Sequence, residues 1–269
     1  MEFKLPQRKE ISNKGTYGRV LNIAGSDYMP GAAYLSSVSA LKIGCGYCFL
    51  CSSERVINSV AAKTSNVVFV PLKELAKSIK SADVVEIGCG LSQSKEGVNI
   101  FNKTILNADI NKPLIIDADG LNILSKNPKI FLNKGFKNVV LTPHPKEAAR
   151  LLNVGSISDK VEDAAKQISE KYNCVTVLKT HKTFVYSPDG RQYTNTTGNN
   201  ALAKAGSGDV LTGMISGLIA QGMDIFEGAC LGVYLHGLCA DIKAEELTQY
   251  SVMADDIIDA ISIAVKTIV

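Results

Sequence analysis

The chain has 269 residues, a net charge of +3, and 46% hydrophobic against 20% charged side chains. These proportions describe an ordinary globule rather than a fibrous or disordered chain, and the charge is too small by itself to imply a nucleic-acid partner. Trp is absent and aromatics make up only 6%, which disfavours a base-stacking platform.

The opening Met1-Glu2-Phe3-Lys4-Leu5-Pro6-Gln7-Arg8 lacks the apolar core of a secretory signal. No apolar run is expected to reach the length that spans a bilayer. Seven cysteines without an export signal predict free thiols and a cytoplasmic location.

After this polar start, Gly15-Thr16-Tyr17-Gly18 leads into a short apolar strand over 19–24, ended by Gly25-Ser26-Asp27. Residues 31–43 carry small side chains at helical spacing and predict a helix packed closely on a sheet. Cys45, Cys48 and Cys51 form a Cys-x-x-Cys-x-x-Cys pattern. Residues 47–51 read as a buried strand, however, in which positions three apart face opposite ways and cannot converge on one ion. The cysteines are therefore expected to act as small buried hydrophobes.

Further strands are predicted at 47–51, 67–70, 84–87, 114–116, 139–141 and 174–178. Helices are predicted between them at 72–79, 97–106, 146–152 and 159–172, the last capped by Ser158. A hairpin follows, with strands over 183–186 and 191–194 around Pro188-Asp189-Gly190. The last third predicts helices at 210–221, 225–246 and 255–268. Strands alternating with helices imply an α/β fold with a mostly parallel sheet covered on both faces. A single domain over 1–269 is the simplest description.

Polar and glycine-rich loops fall at the ends of these strands: Gly25-Ser26-Asp27, Gly88-Cys89-Gly90, Asp117-Ala118-Asp119 and Thr142-Pro143-His144. Ligands bind outside the carboxyl ends of strands in open parallel sheets, so the loops are expected to share one crevice. Gly206-Ser207-Gly208-Asp209 runs directly into the apolar face of the helix predicted at 210–221. The first N–H groups of a helix lack partners and carry partial positive charge, so this turn is suited to a phosphate. Asp209 can serve there as a simple dipole partner. Beside an anion pocket it is also placed to take a proton from a hydroxyl that attacks phosphorus.

Several stretches together resemble the ADP- or ATP-dependent NAD(P)H-hydrate dehydratases, a branch of the ribokinase-like superfamily. They are residues 14–18, 24–27 with 30–33, Asp117-Ala118-Asp119-Gly120-Leu121-Asn122, Leu141-Thr142-Pro143-His144-Pro145-Lys146-Glu147, Gly206-Ser207-Gly208-Asp209-Val210-Leu211-Thr212-Gly213, and Tyr234-Leu235-His236-Gly237. The resemblance implies a three-layer α/β/α sandwich and repair of NADH or NADPH that has gained water across a nicotinamide double bond. ADP or ATP would phosphorylate the hydroxyl of the S epimer, and loss of phosphate would restore the dihydronicotinamide.

In that scheme Asp209 is the base, and the amides of Gly206, Ser207 and Gly208 hold the transferring phosphoryl group. Ala33, Gly90 and His144 contact the hydrated nucleotide. The segment Lys179-Thr180-His181-Lys182-Thr183, with Gly208, binds the adenine nucleotide. Mg²⁺ is the expected companion of the phosphates. Asp117 and Asp119 are candidates to hold it through water, although Asp119 also suits a helix cap. His236 reads as a packed residue of an apolar helical face, and His181 as a loop residue.

The chain departs from the family pattern at Thr180, Ser92 and Ala205, where glycine is usual, and at Cys89, where proline is usual. The resemblance also implies a homotetramer, and any epimerase is expected to be a separate protein. A vitamin-precursor kinase of the same superfamily would share Asp209 and the anion site without needing the stretches 25–33 and 142–145 in this form. A non-catalytic nucleotide sensor would be expected to lack Asp209 or its neighbouring glycines.

Overall fold

The computed structural model describes residues 3–157 and 161–269. One mixed sheet of nine strands crosses it: β1 (Arg19–Ile23), β2 (Tyr47–Ser52), β3 (Val68–Pro71), β4 (Val84–Ile87), β5 (Leu114–Ile116), β6 (Val139–Leu141), β7 (Val175–Leu178), β8 (Phe184–Tyr186) and β9 (Gln192–Thr194). Their order is β3-β2-β1-β4-β5-β6-β7-β8-β9. The first seven pair in parallel, and the final hairpin adds antiparallel. The order reverses between β1 and β4, which opens a crevice at their carboxyl ends.

Alternate residues feed two cores. Leu21, Ile23, Val85, Ile87, Leu114 and Ile116 face one layer, whereas Val20, Val84, Ile115, Val140 and Val175 face the other. Cys51 joins the first core and Cys48 the second, and all seven cysteines are free and buried. The Cys-x-x-Cys-x-x-Cys pattern thus straddles the sheet, as its strand period requires.

Helices cover both faces: α1 (Pro30–Lys42), α2 (Glu54–Ala61), α3 (Leu75–Ser81), α4 (Lys95–Asn107), α5 (Asp119–Lys126), α6 (Pro128–Leu132), α7 (Pro145–Leu152), α8 (Val161–Tyr172), α9 (Ser207–Ala220), α10 (Ile225–Leu247) and α11 (Ala254–Lys266). The predicted elements recur with end shifts of one or two residues at most boundaries, while α2, α5 and α6 were not foreseen. They are 8, 8 and 5 residues long, little more than two turns at most. The expected Ser158 cap lies outside the described residues. The helix predicted from 210 begins three residues earlier, so Asp209 sits inside its first turn.

One expectation needs correction. At 23 residues, α10 is long and apolar enough to span a membrane by length and composition. It is instead packed in the interior, with Phe226, Leu231, Leu235 and Cys239 buried.

Small residues bring α1 and α9 together. A Cβ on Gly213 would lie 2.1 Å from Ser36 O, and one on Gly217 would lie 2.6 Å from Ala40 O. Neither distance is tolerable, so glycine sets the helix separation and with it the position of the α9 N-terminus. Gly206 is pinned between the same helix and α11: a Cβ there would lie 2.6 Å from Leu35 Cδ1 and 3.0 Å from Ala254 Cβ.

Gly213→Ala is therefore expected to destabilise the fold by about 1–3 kcal/mol in urea denaturation through overpacking. Gly31→Ala, whose added Cβ meets nothing within 4 Å, should shift stability by no more than about 1 kcal/mol.

Candidate active site

The crevice is assembled from strand ends. After β5 the chain turns through Ala118, whose φ of 48° is unusual for a residue with a side chain. This sharp turn sends the two flanking aspartates to different partners. Asp117 is buried and accepts from Lys179 Nζ at 2.7 Å and from Thr212 Oγ1 at 2.7 Å. Gly88, with φ 128°, makes room for that turn, since a Cβ would lie 2.0 Å from Asp117 O. Burial works to raise the Asp117 carboxyl, but Lys179 together with the Thr142 and Thr212 hydroxyls outweighs it and holds the group below the usual carboxylate range. Burial likewise works against the Lys179 ammonium, and Asp117 keeps it raised. The pair stays ionised.

Asp119 goes elsewhere. Its oxygens accept from Ser92 N at 2.8 Å and Gln93 Nε2 at 3.1 Å, and Ala118 occupies the N-cap of α5 with no side-chain cap bond. The expected cap role is therefore corrected. Asp119 ties the loop after β4 to the loop after β5.

Asp209 opens α9 beside this pair. Oxygens of Asp209 and Asp117 and the Cys89 sulfur lie within 4.8 Å of one another. Burial first, and then the Asp117 charge, push the Asp209 carboxyl up to about 6. Beneath them Glu86 is wholly buried on β4 and is pushed up to about 8 by burial, so it is neutral at pH 7. Cys89 Sγ lies 3.9 Å from Glu86 Oε1.

Gly206, the N-cap of α9, takes φ 92° and offers no side-chain cap. Of the three amides expected to hold phosphoryl oxygens, Ser207 N already donates to Lys204 O at 3.4 Å. Gly208 faces the crevice, because a Cβ on it would lie 3.3 Å from Lys179 Nζ and 3.9 Å from Asp117 Oδ2.

His144 is the N-cap of α7. Its Nδ1 accepts from Lys146 N at 3.1 Å and Glu147 N at 3.4 Å, while Glu147 Oε2 accepts from His144 N at 2.9 Å. Burial and the Lys179 charge lower the His144 pKa. A neutral ring that accepts at Nδ1 carries its proton on Nε2, which is half-exposed and lies 3.4 Å from Glu147 Oε1. Capping and ligand contact are thus compatible in one residue.

Gly90 takes φ 63°, and a Cβ there would lie 2.8 Å from Ala32 Cβ. Ala33 is fully buried, and a Cβ on Gly25 would lie 3.0 Å from its Cβ. Its small size therefore acts beneath the surface, letting the loop after β1 settle on α1. Gly25 N in turn donates to Cys89 O at 2.8 Å. A cavity of about 240 Å³ next to these loops is lined by Gly25, Ser26, Asp27, Ser52 and Ser92, among others.

A family model described as NAD(P)H-hydrate dehydratase matches residues 20–262. The chain belongs to the NAD(P)H-hydrate dehydratase family. It is 40% identical over 242 residues to the ADP-dependent (S)-NAD(P)H-hydrate dehydratase of Neisseria meningitidis, an alignment that covers 88% of this chain and 81% of that one. It is 37% identical over 273 residues to the bifunctional NAD(P)H-hydrate repair enzyme Nnr of Moorella thermoacetica, covering 95% of this chain and 51% of that protein. The chain thus spans about half the length of the bifunctional relative. The crystal structure of the ADP/ATP-dependent NAD(P)H-hydrate dehydratase from Bacillus subtilis, co-crystallised with ATP/Mg²⁺, superimposes with a TM-score of 0.86 at 33% identity, covering 98% of this chain and 95% of that one. The three-layer, ribokinase-like sandwich expected from the sequence is the observed fold.

Among the departures from the family pattern, only Ser92, with φ 71°, takes the left-handed conformation that explains a usual glycine. Its hydroxyl accepts from Ser94 N at 3.1 Å, a local bond that accompanies the strained backbone. Thr180 and Ala205 do not have positive φ. The Thr180 hydroxyl donates to Lys182 O and accepts from Lys182 N, so it shapes the segment at 179–183 rather than obstructing it. His181 and Lys182 are exposed and Thr183 is half-buried. Lys179, by contrast, points inward to Asp117.

The side-chain contacts not foreseen in this site are those of Thr212, Cys89, Glu86 and His236, Cys89 having been expected only as part of the loop after β4. Thr212 has a legible signal, standing three positions after Asp209 on the helix turn that faces the same way. The other three converge only through the sheet and α10.

If Asp209 is the base, kcat/KM should fall about tenfold per pH unit below about pH 6 as its carboxylate becomes protonated. Asp209→Asn should lower turnover by about 10²–10⁴-fold and leave nucleotide affinity nearly unchanged in calorimetry. Undiminished turnover would remove Asp209 from this role.

Proposed function

We propose that this chain dehydrates the S epimer of hydrated NADH or NADPH, using ADP or ATP as phosphoryl donor. The observation that carries the reading is a buried carboxylate, Asp209, with its pKa raised to about 6, at the N-terminus of α9 beside the Asp117–Lys179 pair. A base poised just below neutral pH, next to helix amides and a lysine, is suited to phosphoryl transfer onto a hydroxyl.

Asp209 takes the proton from the hydrate hydroxyl as its oxygen attacks the terminal phosphorus of the donor. The Gly208 amide and Lys179 face the equatorial oxygens and stabilise the charge spread over them. The nucleotide leaves with one phosphate fewer. The ring-nitrogen lone pair of the phosphorylated hydrate then expels phosphate as the C–O bond breaks, and loss of a proton from the adjacent carbon restores the double bond. His144 Nε2–H and the small residues around Gly90 orient the substrate, and the segment 179–183 holds the donor. Fixed dipoles and position supply most of the catalysis.

Mg²⁺ fits this site as a hydrated companion of the nucleotide phosphates rather than as a caged ion. Both oxygens of Asp117 are engaged by Lys179 and Thr212, and the Cys89 thiol is a poor magnesium ligand. Asp117 and Asp209 would hold the ion through water, and it would supply charge neutralisation on the phosphates. The reading extends to a cytoplasmic homotetramer.

Purified protein mixed with NADH hydrate, Mg²⁺ and either ADP or ATP is expected to restore NADH absorbance with release of one phosphate per hydrate. Failure with both donors, together with phosphorylation of a thiazole or pyrimidine alcohol, would establish the kinase alternative instead.

A further inference from the structure

His236 lies on the buried face of α10, and its Nε2 is 2.9 Å from Ser207 O and 3.2 Å from Ser207 Oγ. A carbonyl oxygen only accepts, so Nε2 carries the proton and donates it to Ser207 O. Burial lowers the ring's pKa to about 4, and the imidazole is neutral at any working pH. The bond therefore persists unchanged across the range in which Asp209 titrates.

The consequence follows from peptide geometry. Ser207 C=O and Gly208 N–H belong to one planar trans peptide unit and point in opposite directions. A donor that fixes the carbonyl on the α10 side fixes the N–H on the other. Gly208 borders the crevice, since a Cβ there would lie 3.3 Å from Lys179 Nζ and 3.9 Å from Asp117 Oδ2, and its N–H is one of the first in α9, which find no partner within the helix. Ser207 is the first residue of α9, so its carbonyl also starts the helical ladder, while Gly206 before it has no side chain to cap the helix. A hydrogen bond received at the carbonyl also polarises the amide, making its N–H a better donor to an anion.

We propose that His236 is a positioning residue that aims and polarises the Gly208 amide toward the transferring phosphoryl group. It touches neither substrate nor nucleotide and acts through the Ser207–Gly208 peptide. The inference rests on the proposed function only in taking that amide as a phosphoryl contact.

His236→Leu fills the space without a donor, whereas His236→Gln restores an N–H near the position of Nε2. His236→Leu is expected to lower kcat by roughly 10–100-fold, a fraction of what a lost oxyanion donor costs, with KM for the hydrate and for ADP unchanged. His236→Gln should recover most of that loss even if both variants melt at the same lower temperature. Equal kcat in Leu and Gln variants, or a parallel rise in KM, would overturn the proposal and leave His236 as a packing residue. A second arm needs no hydrate: in glycine-¹⁵N protein the Gly208 amide should shift on titration with inorganic phosphate in wild type and His236→Gln, and much less in His236→Leu. An identical shift in all three proteins overturns the proposal. Absence of NADH return from wild type would instead overturn the function, leaving this arm to decide the role of His236.

Discussion

The buried ion pair of Asp117 and Lys179 joins the ends of β5 and β7, and most of the crevice is arranged around it. Removing either partner of such a pair leaves an uncompensated buried charge at a cost of about 3–5 kcal/mol. The exposed Arg191 contacts with Asp189 and Asp224 contribute far less. The difference is one of solvent, since water screens the second set freely, whereas Asp117 is buried and Lys179 is only 20% exposed. The pair also sets the electrostatics of its neighbours. Its carboxylate helps to raise Asp209, while its ammonium faces Gly208 and lowers His144.

A second constraint is steric. The crevice needs the N-terminus of α9 close to the strand ends, and α9 reaches that position only because Gly213 and Gly217 let α1 approach to backbone contact. On the opposite side α10 supplies a buried histidine to the first turn. The N-terminus of α9 is thus held by glycines that permit close approach and by one side chain from α10 that bonds to its first peptide. Preorganisation of this kind leaves little reorganisation for the reaction itself.

The loops over β4 and β5 show how one chain meets a family pattern with unusual residues. Ser92 adopts a conformation that glycine would take freely, and its hydroxyl and backbone amide are both engaged there, the amide by Asp119. Cys89 brings a thiol where proline is usual, between neutral Glu86 and the Asp117–Asp209 carboxylates. The buried thiol is pushed well above its ordinary pKa and stays protonated, so it adds no charge to a site already rich in acid.

The sequence by itself determined the alternation of strands and helices, the polar strand-end loops, and the glycine-rich opening of α9. These are local properties, governed by periods of 2 and 3.6 and by the conformational freedom of glycine. It also named Asp209, as dipole partner or base, and the two roles open to Asp119. Tertiary structure alone decided between roles that local pattern leaves equal. Lys179 finds Asp117 across 62 residues, Thr212 reaches it across 95, and His236 meets Ser207 across 29. A buried histidine on an apolar helix face looks the same in sequence whether it only fills space or also bonds a peptide. The distinction lies in what the next helix places against it, and only the packed fold contains that information.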